Sequence, residues 1–128
     1  MRRLLPLILL LFVACGGDDP AEPESNIAPG KIQPTTGPYV SVAVDNHFHD
    51  VHPDESIQIQ ADRPFVVDNQ GRNLHNVTFP THDIDEDIRP GEEFRIDRVG
   101  ELGLGVQQFF CKYHPESDMK GIFTVVEG

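Results

Sequence analysis

Hydrophobic residues recur at every second position through most of the chain after residue 38. In one such run, His75, Val77 and Phe79 fall on one side of an extended chain, while Asn76 and Thr78 fall on the other. A period of two predicts β-strands, and the Pro, Gly, Asp and Asn residues between the runs are typical of turns. We therefore predict an all-β sandwich of about eight short strands. The runs that carry the pattern are 40–44, 57–60, 65–67, 75–79, 94–97, 102–110 and 121–126.

Helical spacing of apolar residues does not occur after residue 15. The acidic stretch 83–89 leaves room for one short helical turn. The alternation of Leu102, Leu104 and Val106 predicts a strand that leads into Phe109 and Phe110.

The first residues have the pattern of an export signal. Arg2 and Arg3 precede an apolar run of 11 residues, 4–14, which is too short for a bilayer, since a membrane-spanning helix needs about 20. The run ends in Phe-Val-Ala before Cys15, which resembles the lipobox of bacterial lipoproteins. We expect residues 1–14 to be a lipoprotein signal peptide and Cys15 to be lipidated. The alternative is an ordinary signal peptide in which Cys15 is incidental.

A Gly-, Pro- and acid-rich stretch follows the proposed lipidation site. Residues 15–37 contain little that a core could bury, so we interpret them as a disordered tether. Residues 38–128 then form the folded domain. This organisation predicts an extracytoplasmic protein, held by lipid on the periplasmic face of the outer membrane or on the cell surface.

The charge of the chain limits its partners. The formal net charge is −11 over 128 residues, and nucleic-acid binding needs a basic surface, so nucleic acid is excluded as a partner. An acidic surface permits docking to a basic protein, but it also keeps a monomer soluble.

Four side chains suggest a metal centre. Cys111, His114 and Met119 lie in one short loop with the spacing Cys-x2-His-x4-Met, and His75 lies in an upstream strand. Two His, one Cys and a weak axial Met are the ligand set of a type 1 copper site. The thiolate and thioether suit Cu(I), and the imidazoles also serve Cu(II).

The same residues carry a family resemblance. Cys111-x2-His114-x4-Met119, preceded by Phe109-Phe110 and followed by residues 121–126, resembles the C-terminal copper loop of plastocyanin-like cupredoxins. Residues 74–77, Leu-His-Asn-Val, resemble the segment with the first His ligand. The resemblance covers about residues 39–128.

This resemblance implies an eight-stranded Greek-key sandwich with one type 1 copper ion at one end. It implies that His75, Cys111 and His114 are equatorial ligands, that Met119 is the axial ligand, and that Asn76 braces the copper loop. It also implies that His114 is the electron port. Tyr113 is bulkier than the residue often found before this His.

Other chemistry for Cys111 stays open at this stage. Cys111 could be a buried structural thiol, a partner of Cys15 in a disulfide, a catalytic nucleophile with a His base, or a zinc ligand. A nucleophile would give Met119 no role, and thioethers are poor zinc ligands.

A second group of histidines, His47, His49 and His52, has the spacing His-x-His-x2-His. These residues are either exposed loop histidines or a second metal site. The function predicted overall is a blue copper protein, not an enzyme, that carries single electrons between extracytoplasmic redox proteins. The alternative is a copper protein for storage, delivery or tolerance, which could use the histidine group.

Overall fold

The computed structural model of the chain describes residues 36–54 and 56–128. The predicted signal peptide, Cys15 and nearly all of the predicted tether lie outside the described residues. The described residues contain no helix that is long and apolar enough to cross a membrane.

Nine strands make up the described fold, and one 3₁₀ helix joins two of them. The strands are β1 Tyr39–Val44, β2 His47–His49, β3 Gln58–Gln60, β4 Phe65–Asn69, β5 His75–Phe79, β6 Ile84–Ile88, β7 Glu93–Ile96, β8 Gly105–Phe110 and β9 Lys120–Val126, with the helix at Val99–Leu102.

The strands form two sheets with a mixture of parallel and antiparallel pairs. The first sheet has the order β2-β1-β4-β7, and the second has the order β3-β9-β8-β5-β6. β1 runs parallel to β4, with Tyr39 opposite Phe65, and β3 runs parallel to β9, with Ile59 opposite Val125. The remaining pairs are antiparallel. The predicted all-β sandwich is confirmed.

Phenylalanine rings fill the centre of the sandwich, where both sheets contribute one face. Phe109 of β8 is the hub: its ring centroid lies 4.7 Å from that of Phe48 and 5.1 Å from that of Phe79. Each fully buried Phe contributes about 2–3 kcal/mol of hydrophobic stabilisation. The rings are those of Phe48, Phe65, Phe79, Phe109 and Phe123. Because packing fixes Phe109, the backbone of Cys111, which follows the end of β8, is held in a fixed position.

Gly121 in β9 is the close neighbour of this hub. A Cβ at Gly121 would lie 2.3 Å from two carbons of the Phe109 ring. The absence of a side chain therefore lets the ring approach the β9 backbone closely.

Two local expectations were wrong. Residues 83–89 hold no helical turn, because Ile84–Ile88 pair with β5 over their full length, His75 to Phe79. The strand expected from Leu102 begins at Gly105, and Leu102 ends the 3₁₀ helix. In the first stretch, pairing with β5 outweighs the local pattern. In the second, short-range bonds of the 3₁₀ helix, from the Glu101 amide to the Arg98 carbonyl and from the Gly103 amide to the Gly100 carbonyl, delay the start of the strand.

Candidate metal centre

The loop between β8 and β9 is closed by its own backbone. The Cys111 amide donates to the Met119 carbonyl at 3.0 Å, and the His114 amide donates to the Cys111 carbonyl at 3.3 Å. Cys111 carries a free, buried thiol. The first bond holds Cys111 and Met119, the first and last predicted ligands of the loop, side by side, and the second places His114 near Cys111.

His75 begins β5 on the face that points into the sandwich. Its side chain is fully buried, and neither Nδ1 nor Nε2 has a hydrogen-bond partner. Burial is the main cause of a lowered pKa of His75, the charge of His114 lowers this pKa further, and Asp45 opposes both. Buried polar atoms are nearly always hydrogen-bonded, so a buried neutral imidazole without a partner has the chemistry of a metal ligand.

The three donors converge on one point. The ligand atoms of His75, Cys111 and His114 all lie within 4.8 Å of one another. The Cys111 Sγ lies 3.3 Å from the His114 Nδ1, and the rings of His75 and His114 have centroids 5.1 Å apart. A sulfur and a nitrogen on one tetrahedral ion would be about 3.5 Å apart. The donors therefore fit one ion with little movement.

Burial differs among the four predicted ligands. His75, Cys111 and Met119 are buried, whereas His114 is half-buried and reaches the surface. The Met119 carbonyl accepts a hydrogen bond from the Cys111 amide, which places the backbone of Met119 beside that of Cys111.

Asn69 organises the segment that leads to His75. It is fully buried at the end of β4, and its Nδ2 donates to the carbonyls of Asn73 at 2.9 Å and Ile88 at 2.8 Å. Its Oδ1 accepts from the Gly71 amide at 3.0 Å. A Cβ at Gly71 would lie 3.3 Å from the His75 Nε2. Asn69 therefore shapes a tight turn whose backbone packs against the buried imidazole.

Asn76 lies beside His75 but braces the loop through intermediaries. Its Nδ2 donates to Asp85 at 2.7 Å and to Asp87 at 3.0 Å. The same two carboxylates accept from the loop: Lys112 Nζ donates to Asp85 at 2.9 Å, and the Tyr113 hydroxyl donates to Asp87 at 2.7 and 2.8 Å. We call Asp85 and Asp87 of β6 the aspartate clamp.

The pKa values of the clamp reflect these bonds. The bond from Lys112 is the main reason that the pKa of Asp85 lies below its ordinary value. The bond from Tyr113 has the same effect on the pKa of Asp87, and it raises the pKa of Tyr113. The clamp is therefore charged at neutral pH and ties β6 to the loop.

Several of these residues are not recognisable from the sequence alone. Asn69, Asp85, Asp87 and Lys112 had no predicted role at the site. The available signal for Asn69 was a polar residue at the end of a buried strand, and the signal for the aspartates was their alternation in an acidic run, which is more typical of a solvated edge.

The ligand nitrogens of the second predicted group, His47, His49 and His52, do not all lie within 4.8 Å of one another. His47 is exposed and His49 is partly buried. Within residues 36–54 and 56–128, the group of His75, Cys111 and His114 is the one set of three or more His, Cys or acidic side chains whose ligand atoms all lie within 4.8 Å of one another. Cys15, the predicted lipidation site, lies outside the described residues.

Known proteins share the fold. Solved structures of amicyanin variants resemble the chain at 14% identity: one oxidised variant has a TM-score of 0.55 and covers 80% of this chain and 88% of its own, and another has a TM-score of 0.56 with 70% and 83%. A copper-containing nitrite reductase from Thermus scotoductus has 19% identity, a TM-score of 0.54 and coverage of 80% of this chain and 25% of its own.

The sequence comparisons point to one family. No curated protein sequence matches the chain at a significant level. The family model of the cupredoxin-like domain matches residues 7–125. With that match, the sandwich and the His-Cys-His group, the chain belongs to the cupredoxin-like domain family.

Proposed function

We propose that the protein is a blue copper electron carrier with one type 1 copper ion. The observation that supports this most strongly is the convergence of His75, Cys111 and His114 within 4.8 Å, with both His75 nitrogens buried and unbonded. His75, Cys111 and His114 would hold the ion, with Met119 as a weak fourth ligand. When bound, copper supplies a one-electron couple between Cu(I) and Cu(II).

The residues around the ligands would keep the site rigid. The 3.0 Å bond between Cys111 and Met119 and the aspartate clamp fix the loop, and Asn69 fixes the turn before His75. Ligands that hardly move between two oxidation states leave a small reorganisation barrier to electron transfer. His114, half-buried at the surface, is the proposed port for electrons. The protein needs no substrate pocket for this task, and we propose no enzymatic activity.

Optical and EPR spectra of the full chain loaded with Cu(II) test the proposal. We expect an intense blue thiolate-to-copper band and narrow copper hyperfine splitting, and we expect both to disappear in Cys111→Ser. Ser117→Ala, which alters the same loop without removing a predicted ligand, is the matched control and should keep both features. A tetragonal Cu(II) signal that survives Cys111→Ser, without a blue band in the parent, would instead support copper storage or delivery.

We also propose a lipid anchor at Cys15 and a monomer that meets redox proteins outside the cytoplasm. The basis is the sequence pattern of residues 1–37. Expression in a bacterial host with labelled fatty acid tests the anchor. The label should appear in the parent and vanish in Cys15→Ala, with the protein moving from the membrane to the soluble fraction. Labelling that persists in Cys15→Ala would refute the anchor.

A further inference from the structure

His47 and His49 are held on the outer face of the first sheet by the residue between them. Phe48 is fully buried, with its ring centroid 4.7 Å from that of Phe109. Successive side chains of a strand point to opposite faces, so the burial of Phe48 directs both neighbouring imidazoles outward. The two histidines share a face and have ring centroids 6.2 Å apart.

A turn after β2 returns the chain toward the same place. Asp50 has a left-handed backbone, with φ of 64°, and its carbonyl accepts from the Tyr39 hydroxyl at 2.8 Å. The turn brings His52 against His47, with ring centroids 5.6 Å apart and planes 22° from parallel. Three imidazoles thus form one surface group, the histidine cluster.

Polar neighbours orient two of these rings. The His47 Nδ1 lies 2.8 Å from the Asn46 Oδ1, and the His52 Nδ1 lies 3.3 Å from the Asp54 Oδ2. The Asp54 amide lies 3.4 Å from the same nitrogen and donates to it in the other tautomer, which carries the ring proton on Nε2. In the tautomer in which Nδ1–H donates to the Asn46 or Asp54 oxygen, the lone pair lies on Nε2, which is the usual arrangement of a metal-binding histidine and its outer hydrogen-bond partner.

The spacing of the rings also suits a shared ion. Two imidazoles on one ion have ring centres about 4.5–6 Å apart, given metal–nitrogen bonds of about 2 Å. The observed 5.6 and 6.2 Å are close to this range. The ligand nitrogens of the three residues do not all lie within 4.8 Å of one another, but exposed side chains change rotamer within nanoseconds. We propose that the histidine cluster of His47, His49 and His52 is a second metal site, which binds a divalent cation that prefers imidazole, such as Cu(II) or Zn(II).

This site shares no residue with the proposed copper centre, so metal binding at the two sites can be tested independently. Zn(II) is the first probe, because it is redox-silent and its binding can be followed by calorimetry. The full chain is titrated in two backgrounds, the parent and Cys111→Ser. In each, the variant His47→Asn with His52→Asn is compared with His82→Asn, which removes an imidazole elsewhere on the surface.

We expect the double variant to bind one Zn(II) fewer in both backgrounds, and His82→Asn to bind as many as its parent. We also expect Asp54→Asn to weaken this site about tenfold, as loss of an outer-shell partner typically does. In NMR spectra of the parent, Zn(II) should shift the ring protons of the histidine cluster and leave those of His82 in place. Unchanged stoichiometry in the double variant, or equal shifts at His82, would overturn the proposal. Loss of the blue spectrum in Cys111→Ser with this Zn(II) site retained would separate the two sites.

Discussion

Replacement of Asn69 by alanine is the sharpest test of how the turn before His75 is built. Asn69 is fully buried, and its side chain makes three hydrogen bonds to backbone groups, at 2.8, 2.9 and 3.0 Å. Alanine removes all three bonds and leaves two carbonyls and one amide without their partners.

The expected cost follows from these bonds. A buried hydrogen bond contributes about 1 kcal/mol net, and an orphaned buried partner costs somewhat more. Three bonds therefore predict a loss of about 3 kcal/mol in the free energy of unfolding, a large fraction of the stability of a small domain. With a urea m-value of about 1 kcal/mol/M, the midpoint should fall by about 3 M.

The assay is urea unfolding of the metal-free protein, because an ion that binds the folded form alone would add its own stabilisation. Asn73→Ala is the matched control: it changes an exposed Asn in the same turn and keeps the backbone carbonyl that Asn69 contacts. A loss below about 1 kcal/mol for Asn69→Ala, or an equal loss for Asn73→Ala, would refute the role of Asn69.

Three further predictions concern the hub, the buried imidazole and the loop. Gly121→Ala should cost about 3 kcal/mol, because the added methyl overlaps the fixed Phe109 ring; an unchanged melting temperature would contradict this. The pKa of His75 is lowered in the folded protein, so as pH falls below 6.5 the unfolded chain binds a proton at this residue before the folded protein does. The metal-free protein should therefore lose stability from pH 7.5 to about 5.5. In urea titrations, His75→Gln should flatten this pH dependence. Lys112→Met should lower the reduction potential of the copper-loaded protein, because it removes a positive charge that disfavours the oxidised site. Voltammetry should show a smaller shift in this potential at high salt, where charges are screened. A rise in potential would contradict the reasoning.

Alternation of apolar residues predicted the sandwich well where one face meets the core. In β5, His75, Val77 and Phe79 are all buried, as their shared parity indicates. In β8 the pattern was misleading: Val106 is 61% exposed and Gln107 is buried.

The physical reason lies in the polar partners of Gln107. Its amide donates to the carbonyls of Leu102 at 3.2 Å and Gly103 at 3.1 Å. These bonds satisfy a buried amide that sequence alone would place outside. Apolar pattern cannot report such partners, because they depend on the 3₁₀ helix that precedes the strand.

The sequence predicts the parts of the candidate site whose residue types have characteristic metal-binding chemistry. A Cys, a Met and two His suggest copper from their ligand preferences. Asn69 and the aspartate clamp instead hydrogen-bond to groups that are distant in sequence. Asn69 bonds to Ile88, 19 residues away, and Asp85 bonds to Lys112, 27 residues away. Such contacts exist only once the sheets have assembled. The sequence suggests only the bulk of Tyr113, whereas in the structure its hydroxyl donates to Asp87 of the aspartate clamp.

The place of β9 in its sheet has a consequence for the order in which the protein assembles. β9 is the last of the described strands along the chain but lies between β3 and β8, so the second sheet has a gap until β9 pairs with both of these neighbours. The hairpin of β8 and β9 brings Cys111, His114 and Met119 together locally, whereas His75 must dock from 36 residues before Cys111. A folding chain therefore closes the loop that carries these three residues only when β9 pairs, and it completes the donor set only when His75 docks against that loop. A chain that stops after Met119 should stay unfolded by circular dichroism, since two strands would then lack the neighbour they share.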